Sequence, residues 1–130
     1  MKKIILMLSI FAIMLTAGVL DVVYTTRFYS VTLINLEQAN ISVQANKNNL
    51  NNPETIALCQ KTNYEWEKGK PILMMLVNHN VVRIVDEKFV SLLEQVEGNN
   101  KDDATVTVKV LISMIKDLKD ENYPHLRNII

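Results

Sequence analysis

The sequence predicts an all-α protein in which a long N-terminal membrane-anchor helix continues into a small antiparallel bundle of about four helices. Three observations predict this fold: an uncharged run, Ile4–Leu20, lies near the start; apolar residues beyond it recur three and four positions apart; and Gly and Pro occur three times each. Such spacing is typical of amphipathic helices, and few Gly and Pro favour helices over a loop-rich fold. We divide the chain into an anchor at residues 1–24, a helical stalk with a polar loop at 25–52, and a helical-bundle domain at 53–130.

The run Ile4–Leu20 contains 17 uncharged residues. As a helix it is about 26 Å long at about 1.5 Å per residue, close to the roughly 30 Å hydrocarbon core of a bilayer. Lys2 and Lys3 precede the run, whereas Arg27 is the only early cation after it. This asymmetry favours a cytoplasmic N-terminus and an extracytoplasmic remainder. The sequence therefore predicts a single-pass protein of the cell membrane that contacts the lipid bilayer through Ile4–Leu20.

A cleaved signal peptide is the alternative interpretation of this run, because it also combines a basic start with an apolar segment. Cleavage requires small residues at a site resembling Ala-x-Ala. The local candidates, Thr16-Ala17-Gly18, are followed by more apolar residues, and no Ala-x-Ala occurs. We therefore expect an uncleaved anchor, and a secreted helical binding protein released by cleavage is the alternative.

Charge and cysteine content limit the classes of function. Beyond residue 20 the chain has 12 basic and 14 acidic residues, a formal charge of −2. This balance supplies no basic face, so we expect no nucleic-acid partner. Cys59 is the single cysteine and cannot form an intrachain disulfide. The domain beyond the anchor must therefore be held together by packing.

The first helix is predicted to run from about Lys3 to about Ala45, because no Gly or Pro interrupts the stretch between Val19 and Asn52. Its apolar stripe consists of Phe28, Val31, Ile34, Ile41 and Ala45, with Gln38 filling the gap. Such a stripe needs a partner surface, since an isolated helix gains most of its stability from packing. The Asn-rich segment 46–52 then predicts a turn.

The second helix is predicted to run from Pro53 to about Asn78. Asn52 can cap it, Pro53 suits the first helical position, and Glu54 lies near the positive end of the helix dipole. Gly69-Lys70-Pro71 predicts a kink or a short break. The predicted stripe is Cys59, Thr62, Trp66, Leu73, Leu76 and Val77.

The third helix is predicted over Val81 to about Glu97, with Asn80 as its cap and a left-handed Gly98 at its end. Its predicted stripe is Val82, Val85, Phe89, Leu92, Leu93 and Val96. Each of these positions falls on one side of a 3.6-residue period, so this helix should contribute one continuous face to the core.

The fourth helix is predicted to begin with Asp102 and Asp103 in its first turn and to end at Tyr123-Pro124. The stretch Thr105–Val110 alternates with period two, which is a strand signal. A lone strand has nothing to pair with, so we expect a helix. The predicted apolar stripe of this helix is Ala104, Val108, Leu111, Ile115 and Leu118. The tail after the helix is expected to dock on the core through Leu126, Ile129 and Ile130.

The order and spacing of several short motifs resemble a known family. They are Trp66-Glu67-Lys68, Leu73, Asn78-His79-Asn80, Val85-Asp86-Glu87 and Leu126-Arg127-Asn128-Ile129-Ile130. Together with the basic start and the apolar N-terminal helix, they make the chain similar to domain-of-unknown-function family 4363. The resemblance implies a small membrane-anchored helical protein of Firmicutes and related bacteria. It supplies no catalytic or ligand-binding residue.

Two residues are the candidates for partner binding. Trp66 lies on the apolar stripe of the second helix, where it serves either as a large core residue or as an exposed anchor for a partner helix. His79 lies in an interhelix turn, where a capping role is expected. Without Cys-x-x-Cys or His-x-x-x-His, the sequence predicts no metal site and no cofactor. Cys59, on the apolar stripe, is expected to be a buried structural thiol rather than a nucleophile.

The favoured hypothesis is an extracytoplasmic helical protein, not an enzyme, that acts as an interaction or accessory subunit of an envelope or membrane complex. Its expected partner is another membrane or envelope protein, or a second copy through the Tyr24–Ala45 stalk. The competing hypothesis is an enzyme or metal module that uses His79 with Asp86 or Glu87, which are close in sequence.

Overall fold

The chain forms four α-helices in the computed structural model, which describes residues 1–122. They are α1 (Lys2–Ala45), α2 (Pro53–Leu76), α3 (His79–Glu97) and α4 (Lys101–Asn122). No strand occurs within these residues. Each helix packs on its neighbours in the chain, and α4 closes the bundle against α1. The predicted all-α fold, with a long N-terminal helix and an antiparallel bundle, is confirmed.

The two halves of α1 have opposite environments. An 18-residue window in it has a mean hydropathy of 2.3, and none of that window is buried. The buried residues of α1 begin at Thr25 and end at Val43. The bundle therefore forms around the C-terminal half of α1, and the N-terminal half projects from it. By length and composition, this helix is the one candidate membrane span within the described residues.

Most of the apolar stripe predicted for the stalk does not face the bundle, and of its members only the partly buried Phe28 packs against the core. Val31, Ile34 and Ile41 are exposed, as are Gln38 and Ala45. The face that packs on the bundle lies on the other side of the helix and contains Thr25, Tyr29, Thr32, Leu33, Asn35, Leu36, Ala39, Ser42 and Val43. Two of its polar members, Thr25 and Thr32, donate to carbonyls one helical turn back, and Ser42 Oγ lies 2.7 Å from Thr55 Oγ1 of α2. Thr32 Oγ1, for example, donates to the carbonyl of Phe28 at 2.9 Å, so its burial leaves no unmet hydrogen bond.

The second helix is continuous, so the alternative of a break at Gly69-Lys70-Pro71 was wrong. Its start matches the prediction, with Asn52 Oδ1 accepting from the Thr55 amide at 2.9 Å. Gly69 is buried because the Phe28 ring of α1 lies against it, and a Cβ at that position would overlap the ring. Gly69 therefore allows a close approach between two helices and does not end one.

Both later turns differ in detail from the predictions. The third helix begins at His79 and is capped by Asn78, whose Oδ1 accepts from the Asn80 amide at 2.9 Å; Asn80 is not the cap. Gly98 has φ −81°, and the left-handed residue is Asn99, with φ 55°. Asn tolerates this conformation better than most residues. Its side chain also accepts a 2.8 Å hydrogen bond from the Leu50 amide, which ties this turn to the α1–α2 loop.

The stretch Thr105–Val110 is helical, as expected, because its buried members Thr107 and Val108 belong to the helical period. The predicted stripe of α4 is buried throughout, and that of α3 is buried except for the partly buried Leu93. In α2, Leu76 is exposed instead of buried. The predicted closure of α4 at Tyr123-Pro124 and the docking of the tail lie outside the described residues.

Candidate functional site

One side of the stalk carries an apolar surface that the bundle does not cover. Tyr24, Val31, Ile34 and Ile41 form this surface, which we call the outer face; Ile34 is 55% and Ile41 67% exposed. These residues lie three or seven positions apart, so they form one stripe along α1. An exposed apolar stripe of this kind is typical of an interaction surface.

Trp66 lies at the centre of the core and is fully buried. Its ring stacks on Phe89 of α3 at a centroid distance of 5.3 Å and lies tilted against Phe28 of α1 at 5.8 Å. The interpretation of Trp66 as an exposed partner anchor was wrong, and the alternative of a core residue is correct. Its indole Nε1 donates to Asp86 Oδ1 at 3.1 Å, which satisfies the polar atom of a buried aromatic residue.

A charged network lies beside Trp66 at the α2–α3 contact. Lys70 Nζ donates to Asp86 Oδ2 at 3.1 Å and to Glu67 Oε2 at 2.9 Å. Burial by itself would raise the pKa of Asp86, but the hydrogen bonds that Lys70 and Trp66 donate to its carboxylate outweigh burial, so the pKa lies below the ordinary value. The hydrogen bond of Lys70 to Glu67, and then that to Asp86, raises the pKa of Lys70. Both groups are held in their charged forms, and the network joins α2 to α3.

His79 is exposed at the start of α3, with its Nε2 2.7 Å from the carbonyl oxygen of Met74. It therefore closes the α2–α3 turn, a capping role that fits its predicted place. A shallow hollow of about 250 Å³ beside it is lined by Lys70, Met74, His79, Asn80, Val82, Arg83 and Asp86. Both Asp86 oxygens already accept hydrogen bonds from Trp66 or Lys70. Within residues 1–122 no group of three or more His, Cys, Asp and Glu side chains could hold a metal ion.

Comparison with known proteins gives one match. The family model "Domain of unknown function (DUF4363)" matches residues 23–129. The chain belongs to this family. No curated protein and no solved structure matches the chain.

The DUF4363 region begins at residue 23, three residues after the apolar run Ile4–Leu20 ends. It contains the whole outer face, the Trp66–Asp86 contact and the His79 turn. The projecting half of α1 lies before the match. The family therefore corresponds to the stalk and the helical bundle.

Cys59 lies in the core of the DUF4363 bundle and is 2% exposed. Burial raises the pKa of its thiol to about 11. The nucleophilic form is the thiolate, which is scarce near neutral pH at such a pKa. The expectation of a buried structural thiol is confirmed.

Sequence reasoning missed the network of Glu67, Lys70 and Asp86. A signal for part of it was present, because Trp66 and Lys70 are four residues apart and therefore share one face of a helix. The partner Asp86 lies on another helix, and a single sequence does not state which acidic residue of α3 would face them. Which acidic residue of α3 pairs with Trp66 and Lys70 depends on the rotation of α3 about its own axis.

Proposed function

We propose that this chain is a single-pass membrane protein whose DUF4363 head lies outside the cytoplasm and acts by binding, as an interaction or accessory subunit of a membrane or envelope complex. One observation carries the proposal: the apolar half of α1 is long enough to cross a bilayer and is uncovered along its length. Leaving so much apolar surface in water is costly, at about 25 cal/mol per Å². A bilayer removes that cost.

The orientation follows from the charges beside the run. Lys2 and Lys3 stand on one side, and Arg27 is the first cation on the other. Cationic residues are retained on the cytoplasmic side, so the head is carried across. The uncleaved run then holds the head at the membrane surface.

The outer face supports a binding role. Its spacing continues toward the membrane through Leu20, so apolar residues recur along α1 at Leu20, Tyr24, Val31, Ile34 and Ile41. This is a heptad-like pattern, which favours side-by-side packing of helices. Arg27 and Gln38 interrupt the line, and polar residues at such positions fix register at some cost in stability. The partner is therefore a helix of another membrane or envelope protein, or α1 of a second copy.

Photo-crosslinking tests the binding role in native membranes. A photoreactive residue at Ile34 should give a reproducible adduct with a partner helix or a second copy of the chain. The same residue at Val90 is the matched control, because Val90 is exposed on α3, away from the outer face. Monomer alone from both positions would contradict the binding role.

The mature N-terminus separates the anchored protein from a secreted one. Mass determination of the purified protein should return a chain that retains Ile4–Leu20. A chain that begins after Leu20 and is recovered in the medium would refute the anchor and support the secreted alternative.

Substituting His79→Ala should leave the Ile34 crosslink unchanged, since the proposal assigns the binding role to α1.

A further inference from the structure

The α2–α3 turn exposes apolar side chains that nothing in the bundle covers. Ile72 is 41%, Met75 85% and Leu76 48% exposed. Among large apolar residues within the described part of the chain, Met1 alone is more exposed than Met75. We call Ile72, Met75 and Leu76 the tip. An exposed apolar cluster at one end of a helical pair indicates a site that contacts another molecule or a membrane.

Two contacts between α1 and α2 determine which residues of α1 lie beside the tip. Ser42 Oγ lies 2.7 Å from Thr55 Oγ1, and the Phe28 ring lies against Gly69. From Ser42 back to Phe28 is 14 residues of α1, and from Thr55 on to Gly69 is 14 residues of α2. The two antiparallel helices therefore stay in step over this length, because both rise by about 1.5 Å per residue.

Extending this register places the tip beside the end of the apolar run. Leu76 follows Gly69 by seven residues, and Asp21 precedes Phe28 by seven. Leu76 is thus level with Asp21, and Met75 with Val22. Asp21 comes directly after Leu20, the last residue of the uncharged run. If the run crosses the bilayer, the tip meets its surface.

The turn is also built to hold this position. The Val77 amide donates to the Leu73 carbonyl at 2.8 Å, and His79 Nε2 is 2.7 Å from the Met74 carbonyl oxygen. Helix-terminal groups near a membrane need such partners, because lipid supplies none. The apolar side chains of the tip can therefore enter the lipid boundary while the backbone of the turn keeps its hydrogen bonds.

We propose that the tip inserts into the surface of the same bilayer that holds α1, which gives the head a second point of membrane contact. This inference rests on the proposed function, because the tip reaches lipid only if α1 spans the membrane. In this proposal the tip contacts lipid.

Depth-dependent fluorescence quenching tests this inference on the full-length chain. Single cysteines at Met75, Ile13 and Val106, each in a Cys59→Ala background, carry an environment-sensitive fluorophore. The proteins are reconstituted in two sets of vesicles of phosphatidylcholine and phosphatidylglycerol. One set contains lipids with a nitroxide near the top of the acyl chain, which quenches probes at the surface, and the other contains lipids with a nitroxide near the end of the acyl chain, which quenches probes at the centre of the bilayer. Ile13 lies within the apolar run, and Val106 is exposed near the start of α4, at the other end of the bundle.

We expect the Met75 probe to be quenched roughly threefold or more above the Val106 probe, because an interfacial apolar group lies about 5–10 Å into the lipid boundary. Adding Leu76→Asp to the Met75 probe variant should reduce that quenching toward the Val106 level. A quenched Ile13 probe with a Met75 probe no more quenched than Val106 would overturn the tip and leave the anchor intact. A Met75 probe that is shielded from aqueous quenchers but not quenched by lipid would assign the tip to a contact with a second copy of the chain, which also overturns the inference. An Ile13 probe that neither set of vesicles quenches would overturn the anchor and the tip together.

Discussion

The two faces of the stalk differ in where their polar residues lie. The face toward the bundle buries Thr25, Thr32, Asn35 and Ser42 among apolar residues, whereas the outer face exposes Ile34 and other apolar residues. Thr25, Thr32 and Ser42 are tolerated inside because each makes a hydrogen bond, as Ser42 does with Thr55 at 2.7 Å. The comparison teaches that hydrophobicity alone does not identify the face of a helix that packs on the rest of its chain. The proposed function assigns the apolar residues of the outer face to a partner outside the chain.

The largest contrast between the faces is expected from alanine substitutions at Leu36 and Ile34. Leu36 is fully buried, so Leu36→Ala should lower the free energy of unfolding by about 2–5 kcal/mol. Ile34→Ala removes an exposed side chain and should change it by no more than about 0.5 kcal/mol. Denaturation of the full-length protein in mild detergent, followed by Trp66 fluorescence, measures both. Equal losses would show that the outer face is packed within the monomer.

The close contact of Gly69 with Phe28 is expected to give the next largest effect. Gly69→Ala places a methyl group where the Phe28 ring lies, so it should cost about 1–3 kcal/mol through overpacking. The sign should reverse in a Phe28→Ala background. There the space is open, and Ala is a better helix former than Gly by about 1 kcal/mol. A double-mutant cycle on unfolding free energies measures the coupling.

A Gly69→Ala penalty that is the same in both backgrounds would mean that the Phe28 ring is not the group in contact. Circular dichroism of each variant serves as the control, because helix content should stay constant if only side-chain packing changes.

The Asp86 contact is expected to have a smaller and pH-dependent effect. Asp86→Asn keeps an acceptor for Trp66 but loses the charge opposite Lys70, so it should cost about 1 kcal/mol at neutral pH. The folded-state pKa of Asp86 lies below its ordinary value of 3.8. The stabilisation is therefore full above that ordinary pKa and is lost as pH falls through the folded-state pKa.

The measurement for Asp86 is the difference in unfolding free energy between wild type and Asp86→Asn at neutral and acidic pH. It should shrink as the pH falls. Asp117→Asn is the matched control, since Asp117 is exposed on α4 and should behave like wild type. A difference that grew in acid would contradict the assignment of Asp86 as the stabilised carboxylate.

Thiol labelling is expected to distinguish the core from the outer face with the least change in stability. Cys59 is buried with a pKa of about 11, so it should react with a maleimide only after unfolding. An Ile34→Cys residue added in a Cys59→Ala background should react readily in the native protein. Mass spectrometry after timed labelling measures both. Rapid native labelling of Cys59 would contradict its place in the core.

Sequence reasoning located the elements well and the contacts between them less well. The helices of the bundle followed from period and caps, as with Asn52 before Pro53 and the stripe of α4. In the stalk, sequence reasoning found one apolar stripe and missed a second set of residues seven positions apart, Tyr29, Leu36 and Val43, which packs on the bundle. Gly69-Lys70-Pro71 was interpreted as a kink or a short break, and the packing role of Gly69 was not apparent because its partner, Phe28, is 41 residues away in the chain. Asn99 took the left-handed turn predicted for Gly98 because its side chain also bonds Leu50.

Accessibility of single cysteines in intact cells tests the central claim most directly. In a Cys59→Ala background, Val106→Cys in the head should react with a membrane-impermeant maleimide before the cells are opened. Ile13→Cys, in the middle of the apolar run, should react only after detergent dissolves the bilayer. Labelling of Val106→Cys only after lysis, or equal labelling of both cysteines in the absence of detergent, would contradict a head held outside a membrane that α1 crosses.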